Sequence, residues 1–233
     1  MLTATRIPAR DAGARPLLVV LHGLGDSAAG WDWLPRELGL PWLNCLLVNA
    51  PDEYFNGLSW FGIHFPIGGP PDGTLPPIDS AGVERSRGLL WELLDAERAN
   101  GLAASEIAVL GFSQGCLMTL EAGLRYRDPL AGLIGISGWV HGVEGLVKEV
   151  PEWARKVPVL MTHGTMDPLL GLEHVRPQAR RLQEAGFDVA WQEFDKEHTV
   201  AGRAEVQFLA RFLEQCFGQA RQRKKGAAGT AVD

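Results

Sequence analysis

Three cysteines among 233 residues are too few and too scattered for a disulfide framework. Cys45, Cys116 and Cys216 are odd in number, far apart and set in apolar surroundings, so they read as reduced, buried thiols. No two of the six histidines fall four residues apart and the cysteines are not clustered, so no metal site is expected. Long apolar runs are also missing. Leu17–Leu21 and Cys45–Val48 are strand-sized, whereas a bilayer span needs about 20 apolar residues. The segment Met1-Leu2-Thr3-Ala4-Thr5-Arg6-Ile7-Pro8 lacks the apolar stretch of a secretory signal, so a cytoplasmic location without integral membrane association is expected. Clustered positive charge is lacking before the extreme C-terminal stretch, and the net charge is −6. That balance gives no electrostatic footprint for nucleic acid or an anionic membrane, and the expected partner is a small molecule.

What is present is ordinary globular composition, 46% hydrophobic and 21% charged. A chain of this length buries roughly 70–75% of its unfolded surface, so residues 1–217 are expected to form one domain around one core. Residues 218–233 carry Arg221, Arg223, Lys224 and Lys225 followed by Gly226-Ala227-Ala228-Gly229, without periodicity. A flexible tail is expected there.

Along the chain, short β-branched-rich runs bounded by Gly, Pro or Asp alternate with longer stretches of 3.6-residue periodicity. This alternation predicts an α/β fold, with a mostly parallel central sheet and helices on both faces. Strands are expected near 17–22, 45–49, 107–110, 133–137, 159–162 and 189–194, with an edge strand near 3–7. Helices are expected over 30–38, 82–100, 114–126, 175–185 and 201–217. Between Pro51 and Pro77 the chain is rich in Pro, Gly and aromatics, including Tyr54, Phe55, Trp60, Phe61 and Phe65. An irregular stretch of that length is usually functional.

Gly111-Phe112-Ser113-Gln114-Gly115 follows the apolar run Ile107-Ala108-Val109-Leu110 and reads as a nucleophile elbow, a buried strand bending sharply into a helix. A serine at such a bend is forced into a sparsely populated backbone conformation. Strand and helix pass closely only where Gly111 and Gly115 leave out a side chain. A serine hydroxyl is a poor nucleophile at neutral pH, so acyl transfer needs a base and a carboxylate to orient it. In a sheet of this class, groups that act together sit on loops leaving the carboxyl ends of strands. His198 follows the expected strand 189–194, and Asp167 follows the strand 159–162. The chain order Ser113, Asp167, His198 is the order of α/β-hydrolases. His163 is a competing base, Asp195 a competing orienting carboxylate, and a structural role competes for both. His64, His141 and His174 fall in loops or at a helix start and read as surface residues.

Charge developing on the substrate carbonyl oxygen needs preorganised N–H donors. Gln114 supplies one from the elbow. Gly23 and Gly25 in His22-Gly23-Leu24-Gly25-Asp26 let the backbone turn so that Leu24 supplies the second. His22 and Asp26 are expected to brace that loop. Trp31, Trp60, Phe61, Trp139 and Leu170 are candidates for an apolar acyl pocket, with core packing as the equal alternative.

These segments, with Ser137-Gly138-Trp139, His163-Gly164-Thr165-Met166-Asp167-Pro168, Asn49-Ala50-Pro51 and Ser59-Trp60-Phe61, make the chain from about Leu17 to about Phe217 resemble the phospholipase/carboxylesterase family of α/β-hydrolases, which includes acyl-protein thioesterases. The resemblance implies a Ser113, Asp167, His198 triad, oxyanion donors at Leu24 and Gln114, and hydrolysis of carboxylic esters or thioesters without a cofactor. Cys116 stands where the family commonly has a second glycine after the elbow, and Gly62 where an acidic residue is frequent. A lysophospholipase or peptidase on the same scaffold, and a non-catalytic ligand-binding homologue, are the alternative readings.

Overall fold

The computed structural model describes residues 1–63, 75 and 77–229. His64, Phe65 and most of the Pro/Gly-rich stretch after them lie outside the described residues.

Seven strands form the main sheet: β1 (Ala4–Ile7), β2 (Leu17–Leu21), β3 (Asn44–Val48), β6 (Ile107–Phe112), β7 (Gly132–Ile136), β8 (Val159–Gly164) and β9 (Val189–Phe194). Their order is β1-β3-β2-β6-β7-β8-β9, and every pairing is parallel except β1 with β3. Strands buried on both faces read as unbroken apolar runs, and all five residues of β2 and of β7 are buried. Within β2 the pleat splits the run: Leu17, Val19 and Leu21 join the core on one face, Leu18 and Val20 the core on the other.

Helices cover both faces, as the alternation of elements predicts. On the first face lie α2 (Ser80–Ala99), α3 (Gln114–Leu124), α4 (Val143–Glu149) and α5 (Leu172–Glu184), which supply Leu90, Leu94, Leu117, Leu146, Val175 and Leu182 to the core. On the second face α1 (Leu34–Leu38) and α6 (Gly202–Gly229) supply Leu34, Leu38, Leu209 and Leu213. All eleven residues of α3 are buried, the polar Gln114, Thr119 and Glu121 among them, and Glu121 is paired with Arg87 and Arg125.

Several boundaries differ from the expectation. The helix expected from Gly30 is a 3-10 turn, Ala28–Trp31, followed by the short α1. Helix α2 starts at Ser80 rather than Gly82. Gly82 packs closely in the first turn of α2: a Cβ there would lie 2.6 Å from an Asp79 carboxylate oxygen, which would have to swing aside, and 3.2 Å from the Phe61 Cβ. The segment after Phe217 continues the helical backbone of α6 as far as Gly229, where Gln, Ala, Arg and Lys are good helix formers. The stretch after Pro51 holds a hairpin, β4 (Asp52–Tyr54) with β5 (Gly57–Ser59), which the irregular reading missed. Phe55 and Asn56 form the two-residue turn of that hairpin, Phe55 at a φ of 51°.

β2 and β6 are neighbours at the point where the strand order reverses, with Leu21 opposite Gly111. Open sheets of this type bind ligands in the crevice outside the carboxyl ends of the strands at that reversal.

Candidate active site

Ser113 follows β6 at that crevice, with φ 54° and ψ −115°. A non-glycine residue there costs of order 1–3 kcal/mol and persists only when its surroundings enforce it. The enforcement is steric. A Cβ at Gly111 would lie 2.0 Å from the Gly115 carbonyl oxygen, and a Cβ at Gly115 would lie 2.2 Å from that of Leu21. The Ser113 N–H donates to Ile136 at 2.9 Å, tying the bend to β7. Cys116 Sγ sits 2.5 Å from where a Gly135 Cβ would fall, and Cys116 Cβ 2.3 Å from that of Gly138. The side chain in place of a second glycine is thus seated against glycines on the neighbouring segments. Burial pushes the Cys116 thiol up to about 12, so it stays protonated and inert.

The loops after β8 and β9 bring Asp167 and His198 to the serine. His198 Nδ1 lies 2.7 Å from Asp167 Oδ2, and His198 Nε2 lies 2.9 Å from Ser113 Oγ. The carboxylate accepts from Nδ1–H, which leaves Nε2 free to accept the serine proton. Asp167 Oδ1 takes the N–H groups of Leu169 and Leu170 at 2.9 and 3.0 Å. Burial alone raises the Asp167 carboxyl, but the bond and charge of His198 and those two N–H groups outweigh it and hold the group below its ordinary range.

The competing residues lie elsewhere. Asp195 meets Thr165 Oγ1 at 3.5 Å rather than His198. His163 is buried behind Asp167, its Nε2 donating to the Leu170 carbonyl at 2.8 Å and lying 3.6 Å from Asp167 Oδ2. His174 is 3.7 Å from Glu173, and His141 lines a surface depression with Arg87 and Arg125.

The turn after β2 is braced as its sequence suggested. His22 Nε2 accepts the Ala50 N–H at 3.1 Å, so Nδ1 carries the proton and donates to Gly23 at 2.6 Å. Asp26 accepts the Ser27 N–H at 2.7 Å and the Trp31 indole at 3.1 Å. Gly25 and Asp26 direct their N–H groups to Leu58 and Gly23, while that of Leu24 has no acceptor among the described residues. The Gln114 N–H, first in α3, has no intrahelical partner. The Gln114 side chain accepts the Trp60 N–H at 3.0 Å and donates to the Phe61 carbonyl at 2.8 Å. It thereby ties the elbow to the segment after the β4–β5 hairpin, and Gly57 lies against Gly25 at a distance only glycine permits. A glutamine beside the nucleophile was visible in the sequence, but its side-chain partners were not.

Among the described residues, the five candidates for an acyl pocket pack into the two cores. Trp31 packs in the core of the second face, against Phe112, whereas Trp60, Phe61, Trp139 and Leu170 belong to the core of the first face. None exceeds 4% exposure. Trp60 donates its indole N–H to the His22 carbonyl at 2.9 Å, and Phe61 meets Trp139 edge-on. Core packing, the alternative weighed for each, describes their surroundings.

A mostly parallel sheet with helices on both faces, and a serine on a strained strand-to-helix turn at the strand-order reversal, define the α/β-hydrolase class. Residues 2–217 match the phospholipase/carboxylesterase family, and the chain belongs to it. Acyl-protein thioesterase 1 of Gibberella zeae is 31% identical over 212 residues, covering 85% of this chain and 89% of that protein. Acyl-protein thioesterase 1 of Schizosaccharomyces pombe is 33% identical over 160 residues, 66% of this chain and 69% of that protein. Among solved structures, Arabidopsis thaliana SOBER1 superposes with a TM-score of 0.75 at 27% identity, covering 87% of this chain and 99% of that one.

Proposed function

We propose that this protein hydrolyses carboxylic esters or thioesters through an acyl-enzyme formed on Ser113. The observation that carries the reading is the unbroken hydrogen-bond chain from Ser113 Oγ through His198 to Asp167, at 2.9 and 2.7 Å, on a strained elbow. Ser113 Oγ attacks the substrate carbonyl carbon while His198 Nε2 takes its proton. The Leu24 and Gln114 N–H groups bind the oxyanion. Collapse of the tetrahedral adduct breaks the bond to the alcohol or thiol, which leaves with the proton from His198. Water then attacks the acyl-enzyme by the same steps in reverse roles. Asp167, held ionised, fixes the imidazole tautomer and stabilises the imidazolium. The relatives named acyl-protein thioesterase support an acyl substrate with an oxygen or sulfur leaving group. Trp60, Phe61, Trp139 and Leu170 back this site as packing, and residues 1–217 are read as the catalytic unit.

Ser113→Ala should lower p-nitrophenyl ester turnover by about 10⁶-fold if the three residues act as a unit. Hydrolysis by that variant well above a buffer blank would refute the assignment. A fluorophosphonate should label Ser113 in the native protein, which separates an enzyme from a binding homologue. A panel of esters, thioesters and unactivated amides separates an esterase from a peptidase, since the esterase leaves the amides intact.

A further inference from the structure

Lys196 and Glu205 form an ion pair buried to 4% and 0% exposure, two residues before His198 and seven after it. Lys196 Nζ lies 2.7 and 2.8 Å from the two Glu205 carboxylate oxygens. A bland core would do without it, because replacing such a pair by apolar side chains of similar volume is often neutral or stabilising, whereas removing one partner is costly. Its position suggests what else it does. The Lys196 carbonyl accepts the Met166 N–H at 3.1 Å, one residue from Asp167, and the Lys196 N–H returns to Phe194 at 2.9 Å. A Cβ at Gly164 would lie 2.3 Å from that same Lys196 carbonyl oxygen, so the backbone of β8 runs hard against the loop. At the far end, Glu205 Oε2 accepts the Ala201 N–H at the start of α6.

From these contacts we infer that the Lys196–Glu205 pair is a positioning device, a staple that closes the His198 loop and sets the imidazole between Asp167 and Ser113. The inference rests on the esterase reading for its kinetic consequence, but not for its geometric one. The loop that bears His198 leaves β9, the edge strand of the sheet, so sheet pairing holds it from one side only. The staple joins residue 196 to the first turn of α6 across His198, and the Met166 bond joins the same residue to the Asp167 loop. Lys196 thus indexes both loops to one another. Its charge is balanced locally: Glu205 contacts it directly, and Asp167, Cys116 and His163 are the other titratable groups in its field. Burial lowers the Lys196 ammonium and Glu205 raises it back in part.

Two variants of the full chain test this, Lys196→Met and the double variant Lys196→Met/Glu205→Leu. The single variant leaves a buried carboxylate unpaired and should lower the melting temperature. The double variant should recover most of that loss. Turnover should not recover with it: kcat for a p-nitrophenyl ester should stay about 10²-fold down, the scale of a catalytic group displaced by about 1 Å, with KM within about two-fold of the parent. The downfield proton resonance of the His198 Nδ1–H bonded to Asp167 should be sharp in the parent and broadened by solvent exchange in the double variant. A double variant that regains stability, turnover and that resonance together would overturn the inference. The resonance is independent of catalysis, so it decides the positioning role even if Ser113 in the parent does not react with a fluorophosphonate, a result that would instead refute the esterase reading.

Discussion

The elbow and the arm that reaches it are built on different physics. Ser113 sits between two central strands, where backbone groups approach so closely that only glycine fits at Gly111 and Gly115. Asp167 and His198 stand on loops from the last two strands, β8 and β9, and are placed by hydrogen bonds, from Leu169, Leu170 and Met166, and by one ion pair. Steric exclusion gives the elbow a single geometry that the surroundings cannot relax. Hydrogen bonds give the arm a geometry that holds only while each donor keeps its acceptor.

The largest break in this comparison, on the arm, is Asp167→Asn. An amide can still accept from the imidazole, but it carries no charge to stabilise an imidazolium and lacks the second acceptor oxygen that Leu169, Leu170 and His198 together require. Turnover should fall by about 10⁴-fold with little change in the fold. Single-turnover measurement of acylation reads this directly, and a loss below about ten-fold would mean that the carboxylate is not the orienting group.

On the elbow the corresponding break is Gly115→Ala. The new methyl would lie 2.2 Å from the Leu21 carbonyl oxygen and 2.7 Å from that of His22, both backbone atoms at the end of a central strand. Since neither can move far, the cost should be about 3 kcal/mol or more, seen as a lower urea midpoint at unchanged slope. Near-neutral stability in that variant would show that the elbow is as compliant as the arm.

This difference in physics is also why the two regions differed in how far they could be read from the sequence. Steric exclusion writes glycine at fixed spacing, so Gly111 and Gly115 announced the elbow, and the strand-end rule then selected Asp167 and His198 over His163 and Asp195. The parallel sheet was legible because its strands are unbroken apolar runs. The supports of the arm leave no such mark. A lysine at 196 and a glutamate at 205 look like solvated charges until the fold buries them against each other, and Gln114 gives no hint that its amide reaches Trp60 and Phe61. The acyl-pocket candidates were ambiguous for a related reason: aromatics near strand ends serve either a cavity or a core, and composition cannot separate the two.

The smallest effect compares one histidine from each region. His22 on the turn beside the elbow and His163 behind Asp167 are both buried, and burial lowers the pKa of each despite opposing backbone hydrogen bonds to Gly23 and Leu170. A folded-state pKa below the unfolded one means that the unfolded chain takes up the proton first as the pH falls. Stability is therefore fully present above about pH 6.5, declines as pH falls from there toward each folded-state pKa, and levels off below it. Each group contributes a slope of up to about 1.4 kcal/mol per pH unit in that window. The two should differ in what is lost on replacement. Both ring nitrogens of His22 are engaged, with Gly23 and Ala50, whereas His163 Nδ1 is buried with no hydrogen-bond partner among the described residues. His163→Gln keeps a donor for Leu170 and exchanges the orphaned ring nitrogen for an orphaned amide oxygen, so it should flatten the acid slope by one proton with little loss at pH 8. His22→Gln should flatten the slope equally and cost about 1 kcal/mol more at pH 8, for the second backbone bond it gives up. Urea titrations from pH 8 to pH 5 measure both. An unchanged slope in His163→Gln would mean that this imidazole takes up its proton alike in the folded and unfolded chain, and that burial behind Asp167 does not disfavour its charged form.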